Sequence, residues 1–161
     1  MILGFDIATL TQIHVAISLI AIATGLIAIL GLIANRLYSA LTAIFLLTTV
    51  LTSITGFLYP FKGVTPGIIL GVLSMIVLVL AIVAFYAGCL RGAWRGTYVI
   101  SASIALYFNV FVLFAQAFQK VPALHAIAPT QASPVFGITQ VALLVVFIFI
   151  TVRAFIAFRR V

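Results

Sequence analysis

The chain is 161 residues long, 66% hydrophobic and only 6% charged, with a mean hydropathy of +1.47. A soluble domain runs to about 45–50% apolar and about 25% charged residues, so composition excludes a water-soluble globular protein and defines an integral membrane one. The net charge of +7, eight Lys and Arg against the single acid Asp6, is read loop by loop as a topology signal, and no nucleic-acid partner is expected from it.

A helix needs about 20 apolar residues to cross the hydrocarbon core, and five stretches qualify. The first runs from about Ala8 to Ala34 and stops at Asn35-Arg36. It has no basic segment before it and is longer than the roughly 7–15-residue core of a signal peptide, so it is expected to be a retained span. The second runs from about Ala40 to Tyr59 and ends at Pro60. The third covers about Gly67 to Leu90 and stops at Arg91. Its Cys89, the chain's one cysteine, excludes an internal disulfide and is expected to be a small helical residue. After a turn at Arg91-Gly92-Ala93-Trp94-Arg95-Gly96, the fourth runs from about Tyr98 to Phe118. The connection from Gln119 to Val135 holds Pro122, Pro129 and Pro134, with Pro122 to Ala128 expected as a short interfacial helix. The fifth span is about Phe136 to Phe158. The expectation is one all-α membrane domain, a polytopic bundle of five helices over residues 1–161, with short loops making successive helices antiparallel neighbours.

Loop charge sets an expected orientation. Arg36, Arg91, Arg95, Arg153, Arg159 and Arg160 fall on one side and only Lys62 and Lys120 on the other, which favours the N-terminus outside and the C-terminus in the cytoplasm. Trp94 and Tyr38 then belong at the inner interface and Tyr59 at the outer one. Lys62, Lys120 and His125 are expected as interfacial residues, with Asp6 placed to pair with one of the lysines.

Small residues mark helix contacts in lipid, where burying apolar surface between helices gains little. The first span carries Thr11, His14, Ser18, Ala21, Gly25 and Ala28 in steps of three and four, one face of a helix. The third offers Gly67, Gly71, Ser74, Ala81 and Gly88, and the second Thr48, Thr52, Thr55 and Tyr59. Hydroxyls in such helices commonly bond their own backbone carbonyls. Amides need partners, because an unpaired buried one costs a few kcal/mol, roughly 2–7 by transfer scales. Asn109 lies near mid-membrane, and Gln116 and Gln140 in the outer half of the bundle. Placed together, His14, Thr52, Thr55, Tyr59, Asn109, Gln116 and Gln140 define an expected polar pocket, opening to the outer side and roofed by the long fourth connection.

Two histidines far apart and one carboxylate do not make a zinc or di-iron site, and neither a nucleophile motif nor a nucleotide-binding glycine motif is present. A non-catalytic protein is the expectation. The pocket's donors suit a quinone, lipid or carotenoid. Haem b, with His14 as its metal ligand, is the less favoured cofactor, since one or two axial imidazoles suffice for it. The preferred reading is an accessory or structural subunit of a larger redox or photosynthetic membrane assembly, holding such a hydrophobic cofactor. Its partners are membrane lipids and other membrane subunits or further copies of itself. Two alternatives stay open: a small redox protein binding haem or quinone through His14, and a lipid or small-solute carrier.

The stretches Thr55-Gly56-Phe57-Leu58-Tyr59-Pro60-Phe61, Gln116-Ala117-Phe118-Gln119-Lys120-Val121-Pro122-Ala123-Leu124 and Ala128-Pro129-Thr130-Gln131 resemble segments of small multi-spanning bacterial membrane proteins of unassigned function. That resemblance implies a bacterial inner-membrane location and no activity.

Overall fold

A computed structural model describes residues 6–59 and 66–158. The described residues are helical, without strands, and five helices are long and apolar enough to cross a membrane. They are α1 (Ile7–Ile33), α2 (Ser39–Phe57), α3 (Pro66–Ile82, continued by a π-turn over Val83–Ala87), α4 (Ala93–Lys120) and α6 (Pro134–Ala157). The short α5 (Pro122–Ile127) lies between the last two. The chain is a multi-pass membrane protein.

Local chemistry fixes the helix ends. The Asp6 carboxylate caps α1 by accepting from the Thr9 backbone N–H at 3.0 Å, the usual device for an orphan donor of the first turn. Asp6 therefore serves its own helix; of the two lysines expected as its partners, Lys62 lies outside the described residues. At the other end Asn35 turns left-handed with φ 53°. Arg36 N–H then reaches Gly31 O at 2.9 Å and Asn35 N–H reaches Leu32 O at 3.0 Å, which is the Schellman closure. Tyr38 folds back over Gly31, where a Cβ would lie 2.7 Å from its ring. Pro122 and Pro134 start α5 and α6 in the first turn, where proline's missing N–H costs nothing.

Two boundaries differ from expectation. The third span ends at Ala87 in a π-turn, with Gly88 N–H on Val83 O at 2.8 Å. Cys89 and Leu90 follow with φ of 48° and 58° and Gly92 with 52°. Cys89 is thus an exposed turn residue, because the reversal into α4 is completed in a few residues and needs left-handed backbone. α4 begins about one turn earlier than its apolar run, at Ala93. Arg95 sits on that extra turn, donating to Phe155 O of α6 at 3.3 Å and stacking over the Phe155 ring.

α4 is the hub. It touches α1, α2, α3, α5 and α6, while α3, α2, α1 and α6 follow one another in an arc around it. Tyr98, Val99, Ala102, Ala105 and Leu106 of α4 are fully buried, with Phe45, Ile29 and Leu78 from three neighbours. Gly25 makes a close approach in the core: a Cβ there would lie 2.7 Å from Phe45 and 2.8 Å from Leu106, so α1, α2 and α4 meet over a missing methyl. A smaller cluster of Ala115, Phe118, Ala128 and Phe136, with Leu124 against it, joins α4, α5 and α6. α5 packs on α4 and has no substantial contact with α1 or α2.

Candidate functional site

The face Thr11, His14, Ser18 of α1 meets α2 and makes a hydrogen-bonded seam. His14, half-buried, has Nδ1 2.7 Å from Thr55 Oγ1. Thr55 donates its own proton to Leu51 O at 2.8 Å, so its oxygen accepts here. In the neutral ring Nδ1 therefore carries the proton, and Nε2 is left with a lone pair. Among the described residues Nε2 has no hydrogen-bond partner. One turn towards the chain start, Tyr59 OH donates to Thr11 Oγ1 at 3.0 Å, and Thr11 passes its proton to Ile7 O at 2.8 Å. The Tyr59 ring stands edge-on to the imidazole, 5.8 Å away. One turn the other way, Ser18 donates to His14 O at 2.7 Å and lies 3.4 Å from Thr52 Oγ1.

One rule generates the seam. A Thr in a helix gives its proton to the carbonyl about one turn back and turns a lone pair to the next helix. Gly56 leaves room for the ring, since a Cβ there would stand at ordinary contact, 3.6 Å from His14 Cε1.

The other expected site residues lie elsewhere. Asn109 donates to Thr49 Oγ1 at 3.1 Å, joining α4 to α2 deep in the bundle. Gln140, 8% exposed, donates to Phe111 O at 3.4 Å while its Oε1 is buried without a partner among the described residues. Gln116 is exposed: α2 is tied to α4 at Tyr98 and Asn109, below it. Lys120 and His125 are exposed at the end of α4 and on α5, and Lys62 lies outside the described residues. Hydrogen bonds thus join His14, Thr52, Thr55 and Tyr59 with Thr11 and Ser18, and those of Asn109 and Gln140 are made to other residues.

Three further hydroxyls join the polar inventory. Tyr98, fully buried, is 3.2 Å from Thr42 Oγ1 and ties α4 to α2. Ser103 and Tyr107 line a groove between α4 and α6. Their four-residue spacing was a legible signal of a shared face.

Among the described residues no group of three or more His, Cys, Asp or Glu is placed to hold a metal. The His14 seam offers one imidazole lone pair beside the Tyr59 ring, among the hydroxyls of Thr11, Ser18 and Thr55, a setting for a hydrogen-bond donor. These features define a polytopic α-helical membrane protein with a polar interhelical seam near one end. Comparison with protein families, with curated proteins and with solved structures finds no match to this chain.

Proposed function

We propose that the protein is a small accessory or structural subunit of a larger membrane assembly, redox or photosynthetic in kind. In this reading it holds a quinone, lipid or other neutral hydrophobic cofactor at the α1–α2 seam. The observation that carries the reading is His14: one ring nitrogen is anchored on Thr55 and the other is, among the described residues, left as an acceptor. An anchored imidazole with an open second nitrogen is oriented for a partner, because its tautomer and ring plane are already chosen. The quinol form of a quinone, or a lipid with a hydroxyl, donates to it without introducing charge. The wide apolar exterior of α3 and α6, the spans least buried within the chain, suits contact with other subunits as well as lipid. The membrane proposed is a bacterial inner one, with the His14 end outward and the arginine-rich end in the cytoplasm.

Native mass spectrometry of the gently extracted protein tests this reading, since it reports partners and bound cofactor together. A stoichiometric complex, or a bound neutral lipid lost in His14→Ala, supports it. A lone protomer with no bound mass overturns it, and a Soret band lost in His14→Ala establishes haem instead. Cysteine labelling at Ala132 in intact cells should succeed from outside, and labelling only after lysis would reverse the orientation.

A further inference from the structure

The α1–α2 seam satisfies most of its own hydroxyls, but α4 and α6 enclose a groove in which two hydroxyls go unused. The groove has a volume of about 210 Å³ and is walled by Ile100, Ile104, Leu144, Phe147, Ile148 and Val152, with Ser103, Tyr107 and Thr151 also lining it. Thr151 gives its proton to Phe147 O at 2.7 Å, as most hydroxyls of these spans do to their own helix. Ser103 does not. It is 1% exposed, and its Oγ is buried with no hydrogen-bond partner among the described residues. Tyr107, one turn along α4, is held by ring contacts to Phe147 at 5.6 Å and Phe111 at 6.0 Å. Its hydroxyl likewise has no hydrogen-bond partner among the described residues.

Depth makes this costly. Ser103 and Tyr107 lie about 15 and 21 Å from the start of α4 at 1.5 Å per residue, close to the middle of a helix running Ala93–Lys120. No water reaches that level of a bilayer to satisfy a hydroxyl. A phospholipid's ester and phosphate groups sit at the interface, too shallow to help.

We propose that the α4–α6 groove binds the ring of a prenyl-quinone-class lipid, with a ring carbonyl accepting from the Ser103 and Tyr107 hydroxyls. Both side chains can donate, and the occupant must accept. No charged side chain lines the groove, so the occupant is neutral. The volume is below the roughly 300–1,000 Å³ of pockets that enclose a whole drug-sized ligand, so it takes one ring while the isoprenoid tail lies along Ile148 and Val152 in lipid. Phe147 and Tyr107 supply aromatic walls. This site shares no helix with the His14 seam and is independent of the function proposed there.

The test uses the full chain in phosphatidylcholine nanodiscs titrated with decylubiquinone and read by native mass spectrometry. Decylbenzene serves as a probe without carbonyls. Wild type should take one equivalent of the quinone and far less of the hydrocarbon. Ser103→Ala should weaken quinone binding about three- to tenfold, the worth of one hydrogen bond. Ile148→Trp, at an exposed lipid-facing position where the fold is not engaged, should fill the groove and abolish binding. Equal uptake of both probes, no binding by wild type, or binding indifferent to both substitutions overturns the proposal. So does binding lost in His14→Ala but kept in Ser103→Ala and Ile148→Trp.

Discussion

The α1–α2 and α4–α6 interfaces solve the same problem in opposite ways. Along α1–α2, Thr11, Ser18, Thr52 and Thr55 spend their protons on backbone carbonyls, and the lone pairs of Thr11 and Thr55 receive Tyr59 and His14. Along the α4–α6 groove the contacts are aromatic and aliphatic, and Ser103 and Tyr107 line it without a hydrogen-bond partner among the described residues. In lipid, helices gain little from hydrophobic burial against each other, so polar pairs set register and small residues set distance. Where pairs close, the helices lock. Where donors remain over, the interface can take a ligand.

The largest effect should come from the steric part of the first interface. Gly25→Ala puts a methyl 2.7 Å from the fully buried Phe45, and overpacking of this kind costs about 1–3 kcal/mol. Thermal unfolding in detergent should fall accordingly. Gly88→Ala meets Trp94 Cγ at 2.3 Å and its Cβ at 2.7 Å, which no rotamer of Trp94 clears, so relief needs a backbone shift. The turn from Arg91 to Trp94 is exposed, so it should give more readily than the buried Phe45 and the loss should be milder. Equal losses from the two would show that the α1–α2–α4 junction is not the tight point of the bundle.

Polar pairs come next. Thr49→Val strands the Asn109 amide, and interhelical hydrogen bonds in membranes average about 0.6 kcal/mol, reaching about 1.7. A double-mutant cycle with Asn109→Leu should return a coupling in that range. The same cycle on His14→Phe and Thr55→Val should give a coupling near the average, since the seam lies closer to the membrane surface. By contrast, Ser103→Ala should leave stability unchanged or slightly raised, because it removes an unpaired buried hydroxyl. A loss comparable to Thr49→Val would erase the distinction between the two interfaces.

The smallest effect belongs to Asp6 at the head of the seam. Hydrogen bonds from Thr9, first its hydroxyl and then its backbone N–H, hold the Asp6 carboxyl below its ordinary value of 3.8. A lowered folded-state value means that the cap's contribution is present above the unfolded pKa and is lost as pH falls through the folded one. Amide exchange in the first turn of α1 should therefore quicken below the ordinary carboxylate range, and Asp6→Ala should remove that pH dependence.

Much of this was legible in the residues themselves. Five apolar runs, their polar stops and their lengths follow from the cost of exposing a backbone polar group to lipid, and they agree with the helices to within a few residues except around Ala87 and Ala93. The stripe from Thr11 to Ala28 correctly announced a protein-facing side: Gly25 and Ala28 pack, and Thr11, His14 and Ser18 bond. The hydrogen bonds of that stripe do not include the expected Gln116 and Gln140, of which Gln140 bonds Phe111 O and Gln116 is exposed, because helix spacing places residues on a face but does not say which helix covers it. In water, hydrophobicity itself tells inside from outside. In a bilayer nearly every face is apolar, and that signal is erased. Sequence alone thus determined the membrane class, the spans and the faces with something polar or small to hide. Tertiary structure alone decided the partners: Thr55 for His14, Thr49 for Asn109, and, among the described residues, none for Ser103.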